Sequence, residues 1–244
     1  MFTKTSNKII LGFLLLVCTS IFALAITFRN NIEPRPTAPI PEKQEGLIGN
    51  KNIVSKQIPL NSFDTLWVDG YVPIDIELTS GEGEATLTAA ENLVSVVQMN
   101  VNNSKLTIRF NADQQVHPSQ KLALNIPIQQ LHTLISSGEN KIYGKELHLD
   151  NLNLILDRDS WVNLGLHTQN LHVDLQGNTE LHLHGTSKQT VIHTSDKGNL
   201  YAGDFESENT TLNIQGSGTI DYNISGKVSL DVASQGKLLF HGAQ

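Results

Sequence analysis

From residue 151 onward, apolar side chains alternate with polar ones in short runs, and the runs repeat. Leu152, Leu154 and Leu156 form the first. Nineteen residues later stand Leu171, Val173 and Leu175, and nineteen further on Thr190, Ile192 and Thr194. Twenty more residues give Thr210, Leu212 and Ile214, and eighteen more give Val228, Leu230 and Val232. A second column keeps the same increments: Val162/Leu164, Leu181/Leu183, Leu200/Ala202, Ile220/Tyr222 and Leu238/Phe240. Alternation with period two marks strands. Each unit is therefore expected to hold two short strands separated by a five-residue polar turn, as in Gln176-Gly177-Asn178-Thr179-Glu180. One such unit cannot bury its own apolar row, but stacked copies share a continuous core. No helical segment separates the units. The pattern predicts an all-β parallel β-solenoid, or β-helix, with coils of about 19 residues over 131–244.

The preceding region, 53–130, is strand-rich but less regular. Segments 63–69, 74–79, 85–89 and 105–110 alternate, with turn signals at Ser80-Gly81-Glu82-Gly83 and Asn102-Asn103-Ser104. Segment 91–97 reads as a helical turn or a further strand, and Pro118 and Pro127 bracket a strand over 121–126. Region 53–130 is read as the opening, irregular coils of the same solenoid, so that 53–244 forms one head domain.

The first 28 residues break the pattern. Lys4 and Lys8 precede residues 9–28, which are 20 residues without a charge. As a helix that run spans about 30 Å, the hydrocarbon thickness of a bilayer. Positive charge on its N-terminal side places the rest of the chain outside the cytoplasm. Residues 1–28 are thus expected to be a signal anchor in the inner membrane or, with Ala23-Leu24-Ala25 as a cleavage site, a signal peptide. Residues 29–52 carry Pro34, Pro36, Pro39 and Pro41 and form a Pro-rich linker. The expected location is exported and periplasmic.

Composition sharpens this picture. Charged residues are 17% of the 244 and the formal net charge is −7. Removing 1–28 takes away two lysines and no acid, so the exported part is more acidic still. Nucleic acid needs a basic footprint, which is missing. A single cysteine, Cys18, excludes an intrachain disulfide and a cysteine-based zinc site.

Few constellations suggest chemistry. Stacking places Asp174 beside His193 on an outward column, with His172 two residues before Asp174. These three are the candidate metal ligands, a nitrogen and oxygen set suited to zinc. His182 and His184 have coil neighbours Asn163 and Tyr201, and Gly165 and Gly203, so no carboxylate is expected within one coil on those columns, Asp221 standing two coils from His182. Asn151, Asn170, Gln189 and Asn209 fall at one corner of successive coils, where amides hydrogen-bond along a ladder. Asp157 and Asp159 are the nearest approach to a glycosidase pair. They flank Arg158 in a polar turn that offers neither carboxyl the pKa-raising pocket such catalysis needs. No catalytic residue and no cofactor is expected. Few charges and no proline protect the last coil, 228–240, so pairing with a second copy or a partner strand is expected there.

Three stretches resemble the auto-transporter adhesin head (GIN) domain family of bacterial envelope proteins. They are Phe63-Asp64-Thr65-Leu66-Trp67-Val68-Asp69-Gly70, Ile74-Asp75-Ile76-Glu77-Leu78-Thr79-Ser80-Gly81 and Ala90-Glu91-Asn92-Leu93. The later Gln215-Gly216-Ser217-Gly218-Thr219-Ile220 is similar to that family's repeated Ser-Gly-Ser-Gly-Asp-Val turn. Asp157-Arg158-Asp159-Ser160 and Ser195-Asp196-Lys197-Gly198 depart from it. The resemblance, over about 53–242, implies a right-handed β-helical head. It also implies a surface for adhesion or for interaction with an envelope protein or glycan, without catalysis. The competing readings are a carbohydrate-active β-helix enzyme and a metal- or ligand-binding envelope module.

Overall fold

The structure, a computed structural model, describes residues 47–110 and 122–242. The expected anchor or signal segment 1–28 and the proline cluster of the linker lie outside the described residues. Within the described residues thirteen strands follow one another: β1 (Ile53–Ile58), β2 (Thr65–Ser80), β3 (Ala85–Ala90), β4 (Val97–Asn102), β5 (Lys105–Phe110), β6 (Leu122–Ile128), β7 (Thr133–Asp157), β8 (Trp161–Leu175), β9 (Glu180–Thr194), β10 (Asn199–Gly216), β11 (Thr219–Ile224), β12 (Lys227–Ser234) and β13 (Lys237–Gly242).

From β7 through β13 the ladders are parallel, and the predicted columns hold. Leu152 pairs with Leu171, Leu171 with Thr190, Thr190 with Thr210 and Thr210 with Val228. Val162 pairs with Leu181, Leu181 with Leu200, Leu200 with Ile220 and Ile220 with Leu238. A parallel partner about one coil away requires the chain to circle back, which makes this a β-solenoid. Val162, Val173, Leu181, Ile192, Leu200 and Leu212 are fully buried. Each buried side chain of this size contributes about 1.5–3 kcal/mol relative to exposure.

The coils hold a third run that the sequence reading left out. Leu147-His148-Leu149 pairs with Leu166-His167-Thr168, which pairs with Gly185-Thr186-Ser187 and then Phe205-Glu206-Ser207. This column is apolar in one coil and polar in the next, so no alternation marks it. Its inward hydroxyls are satisfied in the core instead. Ser187 bonds Thr190 (2.5 Å) and Ser207 (3.3 Å), and Thr210 bonds the Tyr222 hydroxyl (2.8 Å), all five residues being buried. That network explains why threonines occupy inward positions there, since a buried hydroxyl is tolerated once it is hydrogen-bonded. Burial pushes the Tyr222 phenol above its ordinary range, partly offset by its hydroxyl neighbours.

The turn column narrows along the stack from Ser160 and Thr179 to Gly198, Gly218 and Gly236. A Cβ at Gly218 would lie 2.0 Å from the Gly198 carbonyl oxygen, so backbone packs where a side chain would otherwise stand. At the corner, Asn170 donates to Asn151 (2.7 Å), as the amide ladder requires, whereas Asn209 turns to the Lys188 carbonyl (3.5 Å).

The opening region departs from the sequence reading. β5 and β6 do stack parallel on β2, but β4 runs antiparallel to β5, β3 to β6 and β1 to β3. The cause at β4–β5 is local. Asn103 and Ser104 both have positive φ (49° and 59°), as a two-residue hairpin turn demands. Glu91–Val96 forms a 3-10 turn that buries Leu93 and Val96, settling the helical alternative for this segment. Pro127 lies within β6, paired with Thr79, where it was expected to end the strand. β3 accompanies β6 only to Asn125, so Pro127 has a strand neighbour on one side alone and its missing N–H costs little.

Candidate functional site

The ladders hold three outward faces, one per run of the coil. On the face of 151–156, 170–175 and 189–194, Asp174 stands opposite His193 in register, and the His172 and His193 rings lie 5.3 Å apart. The expected candidates are therefore neighbours. Their polar atoms turn elsewhere: Asn213 donates to His193 Nδ1 (3.1 Å), and Gln176 donates to Asp174 Oδ2 (3.3 Å). Among the described residues no three His, Cys, Asp or Glu side chains converge in a metal-holding group.

The middle face carries His148 stacked on His167, with ring centroids 4.9 Å apart, and His167 Nδ1 meets the Thr186 hydroxyl at 3.0 Å. A depression of about 570 Å³ runs beside them, bordered by Asp150, Lys188, Glu206 and Glu208.

The third face contains a line of rings that the sequence reading did not assemble. Tyr143, Trp161, His182 and Tyr201 follow one another at 5.1, 5.4 and 4.8 Å between centroids. Glu180 ties two of them together, accepting from Trp161 Nε1 (2.9 Å) and His182 Nε2 (2.6 Å). The expectation that no carboxylate stands on the columns of His182 and His184 is corrected at His184, while the acid at His182 comes from a neighbouring column. Glu180 lies two residues from His182 on the same face. A register shift between Tyr201 and Asp204 then displaces Gly203 and sets Asp204 opposite His184. Tyr143, His182 and Tyr201 share one column, and Trp161, from the column two residues earlier, covers the place that Asn163 leaves without a ring. Burial, and next the Asp75 carboxylate, raise the Tyr143 phenol above its ordinary range.

Asp157 accepts from the Arg158 backbone N–H (2.7 Å) and Asp159 from Asn178 (3.0 Å). Both carboxylates therefore brace turns. What the fold defines is a β-solenoid head whose outward side chains are set in rows by the ladders. The chain belongs to the family described as "Putative auto-transporter adhesin, head GIN domain", whose model matches residues 62–243. It is similar in fold to a putative adhesin from Bacteroides fragilis, with 19% identity, a TM-score of 0.67, and 81% of this chain and 100% of that one covered. A putative lipid binding protein from Parabacteroides distasonis shares 16% identity at a TM-score of 0.55, covering 80% of this chain and 96% of that one. A putative adhesin from Parabacteroides merdae shares 20% at 0.50, covering 82% and 98%. No match was found among curated proteins.

Proposed function

We propose that the chain is an exported, non-catalytic envelope head, right-handed in its winding as β-crossover-β connections usually are, which presents its ladder faces for adhesion. The observation that carries this reading is the ring line Tyr143–Trp161–His182–Tyr201. It holds aromatic and polar groups in fixed register on a rigid sheet, so little conformational entropy is lost when a partner binds. Membership of an adhesin-head family points the same way. Residues 9–28 supply the inner-membrane anchor in this reading, with 29–52 as the spacer that holds the head away from the bilayer.

Two measurements test it. A periplasm-active reporter fused after Asn50 should be active and should stay in the membrane fraction at high salt. Activity confined to the cytoplasm would end the export reading, and a soluble product beginning near Ile26 would replace the anchor by a cleaved signal. The full chain in mild detergent should capture envelope glycan or protein from its own cell wall fraction. Turnover of an envelope polysaccharide by the pure chain would overturn the non-catalytic reading.

A further inference from the structure

The rows on the outward side of β4, β5 and β2 form a surface unlike the rest of this acidic chain. In register, Asn102 faces Lys105 and Lys105 faces Thr65; Asn100 faces Thr107 and Thr107 faces Trp67; Gln98 faces Arg109 and Arg109 faces Asp69. Trp67 sits at the centre. Lys105 Nζ lies over its ring at 4.8 Å from the centroid, and the Arg109 guanidinium carbon at 4.6 Å. Two cations thus flank one indole, which fixes both long side chains by cation–π attraction. Among the described residues neither takes part in an ion pair; the pairs present are His182–Glu180 and His241–Asp221. The Asp69 carboxylate, the acid nearest in register, leaves Arg109 unpaired, and Asp64 accepts instead from the Thr65 hydroxyl (2.9 Å). The amides of Gln98, Asn100 and Asn102 complete the shelf and, with Asn103, line a depression of about 640 Å³.

We propose that this shelf binds an acidic polysaccharide, with Lys105 and Arg109 holding its carboxylate or sulfate and Gln98, Asn100 and Asn102 its hydroxyls. The proposal rests on the adhesion reading and names its ligand class. Amides both donate and accept, as sugar hydroxyls do, which an amide row exploits and a bare phosphodiester does not need. Held by Trp67, both cations are already extended before the ligand arrives, so binding spends less entropy on ordering them.

The test is a titration of the full chain in mild detergent against immobilised polygalacturonate, dextran sulfate and neutral dextran, with double-stranded DNA as a competing polyanion. Saturable binding to at least one acidic polymer and none to dextran is expected, weakening with salt. Lys105→Gln and Arg109→Gln should each weaken it about tenfold, the loss of one charge-assisted hydrogen bond. Asp69→Asn should strengthen it, because a neighbouring negative charge is removed. Which acidic polymer binds decides between carboxylate and sulfate. Unchanged affinity in the folded Lys105→Gln/Arg109→Gln double variant overturns the proposal, as does equal binding of DNA through the same two residues. If the wild type binds no acidic polymer yet captures envelope partners, this shelf is wrong and the adhesion reading stands. If the wild type captures none, both fall.

Discussion

Val173→Asp puts the solenoid register to its strictest test. Val173 is fully buried, with Leu154 on one side of its column and Ile192 on the other. Replacing it removes about 1.5 kcal/mol of apolar burial. The larger cost is the carboxyl. Keeping an Asp neutral at pH 7 against an ordinary pKa near 3.9 costs about 4 kcal/mol, and leaving the neutral group without a partner adds about 1–3 more. The total is comparable with the whole stability of a typical domain, so the variant should be largely unfolded at 25 °C. The sign of the pH dependence follows. The folded state raises this carboxyl's pKa, so the folded state holds the proton more tightly, and the penalty must shrink as pH falls from 7 toward 4. Urea unfolding of Val173→Asp beside Val173→Asn isolates the charge, since Asn has the same shape and does not titrate. His172→Asp is the control one residue away. His172 is exposed, and its replacement should change stability by about 0.5 kcal/mol or less. Equal damage from Val173→Asp and His172→Asp, or a deficit against Asn that does not change with pH, would refute the register.

Three further outcomes are expected. Because burial raises the Tyr222 pKa, its contribution is complete below pH 10 and is lost as pH rises above that value; Tyr222→Phe should therefore lose the Thr210 bond, about 1 kcal/mol, yet show a flatter alkaline limb in thermal melts, and an unchanged limb would exclude Tyr222 as its source. Gly218→Ala forces a Cβ against the Gly198 carbonyl and should cost about 1–3 kcal/mol by chemical denaturation, whereas Gly81→Ala, which meets no neighbouring atom but has φ +132°, should cost only its backbone strain. Leu230, Val232 and Leu239 leave apolar surface open on the last coil (47%, 39% and 36% exposed), so light scattering should show self-association that Ser229→Lys with Leu239→Lys abolishes; a strictly monomeric wild type at high micromolar concentration would refute it.

The inward columns were legible because burial enforces alternation, and alternation shows in sequence wherever one face is apolar. Leu154, Val173, Ile192 and Leu212 declare their column by chemistry alone. The middle run was hidden for the same reason in reverse: Leu166, Gly185 and Phe205 occupy equivalent positions but share no pattern. The reversed strands β1, β3 and β4 alternate like any other, and direction leaves no trace in a period of two. On the outer faces, register placed Asp174 beside His193 correctly. The register shift that carries Asp204 to His184 was invisible, because nothing in Ala202-Gly203-Asp204 announces it. The Trp67 shelf went unread because its members come from β2, β4 and β5, whose order in the sheet follows from the hairpin and not from the repeat.

The two ends of the stack are finished differently, and this sets an order of local opening. At one end Leu93 and Val96 are fully buried beneath the reversed strands; at the other the column Leu154, Val173, Ile192, Leu212 passes from complete burial to Leu230, nearly half in water. A coil in such an array is stabilised chiefly by its immediate neighbours. Among the described residues the last coil has one neighbour where the inner coils have two, so it frays first and each earlier coil opens only after the one beyond it. Amide hydrogen exchange should accordingly slow stepwise from β13 and β12 through β10 and β9 to β8, a protection gradient that points along the chain toward the capped end.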